Sequence, residues 1–260
     1  MANNTECLTI GRIAPDFTAM TTQGIITLSQ YTGKWVMLFS HPGDFTPVCT
    51  SEFIAFAQLA PEFEKRGIQL LGVSIDSNPS HLAWVYNIYQ FTGITIPFPI
   101  IADRNAEVST LYGMVNPDRI YEQSVRDVFF IDPTRKIRAI LTYPATNGRN
   151  SYELLRLFDA LQTTDEFGVS TPANWLPGQP VILPVPYTYE GLLERVNAPA
   201  EPGVDCLQWY LCYKDYDELT PLPPREDSLL PPAQAVPLPD VPRLQPPTQQ
   251  TPTQQTPTQS

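Results

Sequence analysis

The stretch Trp35–Glu52, WVMLFSHPGDFTPVCTSE, decides how the chain is read. Its first six residues, Trp35–Ser40, form an apolar run just after Gly33, the pattern of a strand buried on both faces. A proline-bearing loop follows. From Glu52 to Arg66 the apolar residues Phe53, Phe56, Ala57, Ala60 and Phe63 recur at helical spacing, and Gly67 stands where a C-cap glycine belongs. This strand–loop–helix unit puts Cys49 at a helix N-terminus.

Working outward, Ile68–Ile75 reads as a second buried strand and Ser80–Phe91 as a helix closed by Gly93. Asp103–Gly113 is a shorter helical piece. Val128–Asp132 and Lys136–Thr142 flank Pro133, Thr134 and Arg135 as a hairpin. Asn150–Thr163 is amphipathic, with Asn150 or Ser151 as N-cap. The order β-α-β-α-(α)-β-β-α predicts an α/β fold, an open thioredoxin-like sandwich with a mixed central sheet.

Proline divides the rest of the chain. Twelve of the 29 prolines, and none of the 13 glycines, lie in Thr220–Ser260. That segment ends in the repeat PPTQQ, TPTQQ, TPTQ, has little to bury, and reads as a disordered tail that catalysis does not need. Between them, Pro172, Pro177, Pro180, Pro184 and Pro186 mark an extended arm. A short helix (Tyr189–Val196) and the run Cys206–Tyr213, CLQWYLCY, follow. The arm reads as too short for a core of its own, so Trp175, Trp209 and Tyr210 need cover from the domain or a partner subunit. The expected divisions are a domain over 1–164, an arm over 165–219 and a tail over 220–260.

A net charge of −11 argues against nucleic acid or an anionic membrane as partner. Four cysteines are too few for a disulfide scaffold, and Met1–Arg12 has no signal-peptide pattern. Ser77–Ala102 lacks charge, but Asn87, Gln90, Gly93, Pro97 and Pro99 interrupt it too often for a membrane span. A cytoplasmic protein is expected.

A lone cysteine is ordinarily a small buried hydrophobe. The neighbours of Cys49 favour chemistry instead. Helix N-termini favour anions, and cationic neighbours there bring a free thiol from about 8.5 into the range 3.5–7.5. Pro42 and Pro47 restrain the loop, and the Thr46 hydroxyl lies three residues before Cys49.

The spacing Pro42-x-x-x-Thr46-x-x-Cys49 resembles the signature of the peroxiredoxins. The resemblance extends to Ser124–Pro133 (SVRDVFFIDP), Asn147–Asn150 (NGRN) and Phe98–Asp103 (FPIIAD), and runs from about Leu8 to Asp217. The long arm is similar to the one-cysteine-type branch, including members with two further C-terminal cysteines, here Cys206 and Cys212. The resemblance implies a peroxidase that needs no cofactor. In it Cys49 attacks hydrogen peroxide or an organic hydroperoxide and becomes a sulfenic acid.

It further implies that Arg126 donates to the breaking bond, Thr46 positions the peroxide and Pro42 shields the sulfenate. Arg149 is implied as a second cation, or else is a surface charge. His41 either approaches the thiol or fills a core or loop position. Glu52 either orients the arginine or is a first-turn carboxylate favoured by the dipole. Cys212, from the neighbouring subunit, is implied as resolving thiol with Cys206 as exchange partner, unless both are reduced structural thiols. An external thioredoxin-like or other dithiol reductant is implied, as is a homodimer assembling into a decamer.

Cys7 has no motif around it. No metal site is expected, because Cys206 and Cys212 are too far apart for CxxC and only His41 and His81 could join them, which leaves a ligand set incomplete. A CxxC reductase is excluded by Thr46 and Glu52 at the two CxxC positions. Gln30–Trp35 lacks the serine that a lipase activity would use. A non-enzymatic holdase or scaffold is the remaining competitor.

Overall fold

The computed structural model describes residues 8–115, 125–198 and 201–218. Cys7, the repeat tail and its expected disorder lie outside those residues. The elements in order are β1 (Thr18–Thr21), β2 (Gly24–Thr27), β3 (Trp35–Ser40), α1 (Pro47–Lys65) and β4 (Ile68–Ser74). Then come α2 (Asn78–Thr92), β5 (Ile100–Ala102), α3 (Glu107–Leu111), β6 (Arg126–Ile131), β7 (Ile137–Tyr143) and α4 (Ser151–Phe167). The arm contributes β8 (Val181–Ile182), α5 (Tyr189–Asn197), β9 (Val204–Gln208) and β10 (Leu211–Lys214).

Seven strands form one mixed sheet in the order β2-β1-β5-β4-β3-β6-β7. Strands β3, β4 and β5 are parallel, joined by the α1 and α2 crossovers; β6 and β1 run antiparallel to them, and β7, antiparallel to β6, returns to their direction. This is the thioredoxin-like sandwich with a mixed sheet that the element order predicts.

All six residues of β3 are buried, because both faces of the sheet are covered. With a side-chain period of two, Trp35, Met37 and Phe39 enter one core with Phe53, Phe56 and Phe63 of α1, Trp84 of α2, and Leu154 and Phe158 of α4. Val36 and Leu38 enter the other, with Ile26, Leu28, Val108 and Tyr112. Gly72 of β4 allows a close approach: a Cβ there would lie 3.2 Å from the Phe53 ring and 3.3 Å from the Phe39 ring.

Some boundaries differ from the sequence reading. Helix α1 starts at Pro47, five residues before Glu52, because proline presets the first helical position after the extended Thr46. Cys49 is therefore inside the first turn. The helical piece read over Asp103–Gly113 narrows to α3, whose Val108 and Ser109 N–H groups donate to the Asp103 carboxylate at 3.0 and 2.7 Å. The β1–β2 hairpin and the three-residue β5 were not foreseen.

The arm finds cover on the domain for Trp175, as expected, but not for Trp209 or Tyr210. It has a small core, where buried Trp175 and Val181 join Ala160 of α4 and Val169, with the Trp175 indole donating to the Gln179 carbonyl at 2.9 Å. Trp209 and Tyr210 stay exposed. The run Cys206–Tyr213 folds back as a hairpin in a second sheet, order β8-β10-β9, with Cys206 directly opposite Cys212. Among the described residues no helix is long and apolar enough to cross a membrane.

Phe158 lies against Trp35, Phe63 and Phe130, with ring centroids 5.8, 6.4 and 4.6 Å away. Phe158→Ala is expected to cost about 3–5 kcal/mol in urea unfolding. A loss below about 1 kcal/mol would contradict this account of the main core.

Candidate active site

The topology brings three chain segments to one end of the sheet. Strand β3 ends at Ser40, and its connection to α1 crosses the carboxyl edge of the parallel strands, where α/β sheets open a crevice. Because β6 runs antiparallel to β3, its first residue, Arg126, lies at that same edge. Arg126 pairs with Tyr143, the last residue of β7, so the chain leaving β7 toward α4 carries Ala145 and Arg149 there as well.

Cys49 is buried in the first turn of α1 and is the free cysteine of the described residues. Thr46 is the N-cap residue, yet its side chain makes no cap hydrogen bond. Its hydroxyl instead donates to the Gly43 carbonyl at 2.8 Å, which leaves the first-turn N–H groups uncapped by Thr46 and open to an anion.

Arg126 Nη1 donates to Cys49 Sγ at 3.3 Å and to Glu52 Oε2 at 2.7 Å. Its Nε and Nη2 both donate to the Ala145 carbonyl, at 3.1 and 2.7 Å, fixing the plane of the guanidinium. Glu52 is shared. Arg149 approaches it side-on, Nε to Oε1 at 2.8 Å and Nη2 to Oε2 at 2.7 Å, while the Arg149 backbone N–H donates to Oε1 at 2.7 Å. Arg149 Nη1 donates to the carbonyls of Ser40 and Asp127 at 2.9 and 3.1 Å, and the guanidinium lies over Phe39 and Phe56. All four of these groups are buried. Two guanidiniums against the Glu52 carboxylate favour an anion at the neighbouring position.

The loop before Cys49 is pinned from beneath. Asp44, with its side chain 1% exposed, bonds His41 Nε2 at 3.2 Å and His81 Nδ1 at 2.9 Å, and its backbone N–H donates to Asp76 at 3.0 Å. His81 Nε2 faces the Ile101 carbonyl at 3.2 Å, and His41 stacks on Trp84. Burial alone would raise the Asp44 carboxyl, but the hydrogen bonds from His41 and His81 outweigh it and hold the group well below the usual carboxylate range.

Of the residues singled out from sequence, Cys49, Glu52, Arg126 and Arg149 are brought into direct contact. Glu52 is a buried bridge beyond the first turn of α1 rather than a first-turn carboxylate, and Arg149 is a buried cation rather than a surface charge. Pro42 is buried on the same loop as Thr46. His41 is buried and tied to Asp44. Its contacts include Asp44, Phe53, His81 and Trp84.

Cys206 and Cys212 are bonded to each other, with Cα atoms 4.0 Å apart. In this structure neither is free to bond Cys49. Asp44 and His81 were missed. Together with His41 they bring three metal-capable donor atoms within 4.8 Å, the third ligand that the histidine count lacked. In this structure they are engaged with one another.

Comparison with known proteins places these features in context. The AhpC/TSA family pattern matches residues 10–140, and the C-terminal domain of 1-Cys peroxiredoxin matches residues 160–197. "Peroxiredoxin 2" of Caldanaerobacter subterraneus subsp. tengcongensis is 56% identical over 79% of this chain and 92% of its own. A "Peroxiredoxin" of Methanocaldococcus jannaschii is 44% identical over 80% of this chain and 99% of its own. Among solved structures, yeast mitochondrial 1-Cys peroxiredoxin superposes with a TM-score of 0.71 at 42% identity, covering 80% of this chain and 99% of that one.

The buried His41–Asp44 pair gives a pH test. Burial is the largest influence on His41 and pushes its pKa below the ordinary histidine value, with the Asp44 hydrogen bond opposing and the His81 charge assisting. The unfolded chain therefore takes up a proton near pH 6.5 that the folded chain does not, and stability falls as pH drops below that value. His41→Gln is expected to flatten urea-unfolding stability against pH by up to about 1.4 kcal/mol per unit between about pH 6.5 and 5. Parallel wild-type and variant curves would contradict the assignment.

Proposed function

The chain belongs to the peroxiredoxins and is a thiol-dependent peroxidase; from that premise we propose that Cys49 reduces hydrogen peroxide and organic hydroperoxides and that Cys212 and Cys206 return it to the thiol. The observation that carries the reading is the Arg126 Nη1 contact to Cys49 Sγ at 3.3 Å, made by a guanidinium already held by Glu52 and Ala145.

The Cys49 thiolate attacks one peroxide oxygen. The O–O bond breaks, the sulfur becomes a sulfenic acid, and the departing oxygen takes a proton and leaves as water or alcohol. Negative charge moves from sulfur onto the two oxygens, and Arg126 can follow it without moving because a guanidinium presents several donors in one plane. Arg149 supports this indirectly, by fixing Glu52 from the far side. The Thr46 oxygen keeps acceptor capacity for a peroxide O–H while its own proton goes to Gly43. Buried Pro42 keeps water from the sulfenate.

Resolution follows by exchange. The Cys212 thiol attacks the sulfenic acid, forming a Cys49–Cys212 disulfide and releasing water. The Cys206 thiolate then attacks Cys212, forming the Cys206–Cys212 disulfide and freeing Cys49 as a thiolate. The bonded pair and free Cys49 support that end state. An external dithiol, thioredoxin-like in kind, takes up the disulfide. The related yeast mitochondrial enzyme is described as resolving through glutathione and thioredoxin systems.

A second copy of the chain supplies the Cys212 that meets Cys49, in dimers that assemble into a decamer. In support, no residue of α5 is buried, and Tyr187, Tyr189 and Val196 of the arm are exposed. The reading places this antioxidant cycle in the cytoplasm, where reductants of this class keep thiols reduced.

Cys49→Ser is expected to abolish peroxide consumption with any dithiol donor; consumption at the wild-type rate would overturn the assignment. In wild type treated with peroxide, non-reducing peptide mapping should show Cys206–Cys212 disulfide accumulating after Cys49–Cys212. Over-oxidised Cys49 alone, with Cys206 and Cys212 still reduced, would sink the resolving step.

A further inference from the structure

The two sulfurs of the arm disulfide are not equivalent, and their difference decides how electrons reach the enzyme. Cys206 lies on β9, the outer strand of the small sheet, and is exposed together with Leu207, Gln208, Trp209 and Tyr210. Cys212 lies on β10, the central strand, and is 1% exposed. Both sides of β10 are occupied: Cys212 is opposite Cys206 of β9, and its carbonyl accepts from Leu183 N at 2.9 Å beside β8. The asymmetry therefore follows from strand order.

We infer that the external reductant attacks Cys206 and never Cys212, so that each reduction releases Cys212 first. Thiol–disulfide exchange needs the incoming thiolate in line with the S–S bond, on the far side of the sulfur it attacks, and its rate depends on which sulfur can be reached. Attack at Cys206 comes from the open edge of the sheet. In-line attack at Cys212, opposite Cys206, would have to come from the β8 side, where the buried Cys212 is 1% exposed. One effect opposes this order, because a buried thiolate is a poorer leaving group than an exposed one. Access wins, since a protein thiolate that cannot reach a sulfur does not react with it at all.

The step balances. The reductant thiolate forms a bond to Cys206 Sγ, the Cys206–Cys212 bond breaks, and Cys212 leaves as a thiolate. The second thiol of the reductant then displaces Cys206 as a thiolate and is itself oxidised to the disulfide. While the mixed disulfide lasts, the reductant occupies Cys206, and the thiol that has to meet Cys49 is already free. The inference rests on the reading that this pair is reduced in every cycle.

Regiochemistry can be separated from that reading by using Cys49→Ser protein, in which diamide closes the Cys206–Cys212 disulfide without peroxide turnover. The probe is glutathione, with N-ethylmaleimide quenching at successive times before reduction is complete, followed by peptide mass mapping. The expected early product carries glutathione on Cys206 and maleimide on Cys212, in at least about ten-fold excess over the reverse arrangement. In urea the preference should collapse toward parity. Glutathione on Cys212, parity in the folded protein, a disulfide untouched by glutathione, or a preference that survives in urea would each overturn the inference. Wild-type protein treated with peroxide in parallel tests the cycle itself: absence of the Cys206–Cys212 disulfide there would count against the cycle and leave the regiochemical result standing.

Discussion

The structure around Cys49 depends on one carboxylate held by two arginines. Glu52 takes Arg126 on one side and Arg149 on the other, and four further hydrogen bonds, to the carbonyls of Ala145, Ser40 and Asp127, fix the two guanidiniums. Burying three charges is costly, several kcal/mol per ion even after relaxation, and only near-complete pairing offsets it. An arrangement of this kind is weak evidence for stability. It is better understood as a device for holding charge in place: removing any one member strands the others, so geometry is enforced at every position. The positive charge left over sits 3.3 Å from the sulfur, along Arg126 Nη1.

The scaffold explains why these groups meet. Parallel strands put the start of α1 at the carboxyl edge of β3, and the antiparallel β6 returns Arg126 to the same edge. The loop from His41 to Thr46 is then anchored by Asp44 to His81 of α2 and to Asp76 after β4. The thiol turn is thus tied to the next crossover, β4–α2–β5, while Cys49 itself is met by Arg126. The arm is built onto α4. Its small cluster around Trp175, shared with Ala160 of α4, holds Val181 of β8, and the β8-β10-β9 sheet exposes one sulfur while covering the other.

Much of this was legible in the sequence, for identifiable reasons. Strands β3, β4, β6 and β7 are long apolar runs with turn residues between them, and Gly67, Gly93 and Asn150 mark helix ends as their chemistry requires. β5 was missed because three residues carry no periodicity. The β9–β10 hairpin was missed because its turn, Trp209 and Tyr210, has none of the Gly, Asn, Asp or Pro that announce a turn. Cys49, Thr46 and Arg126 stand in motifs. Asp44 does not, since its partner His81 is 37 residues away and only the fold brings them together. For Glu52 the sequence left two roles open, and burial between two guanidiniums selects one.

The central claim is that Glu52 and Arg126 act on Cys49 as a unit. A double-mutant cycle on Glu52→Gln and Arg126→Gln, read as the single-turnover rate of Cys49 sulfenic acid formation by dimedone trapping, tests it most directly. Each single change should slow that step by at least about ten-fold, and the double variant should be no slower than the slower single, because residues in one network are not additive. Two effects that multiply in the double variant would show that the residues act independently, and would contradict the account.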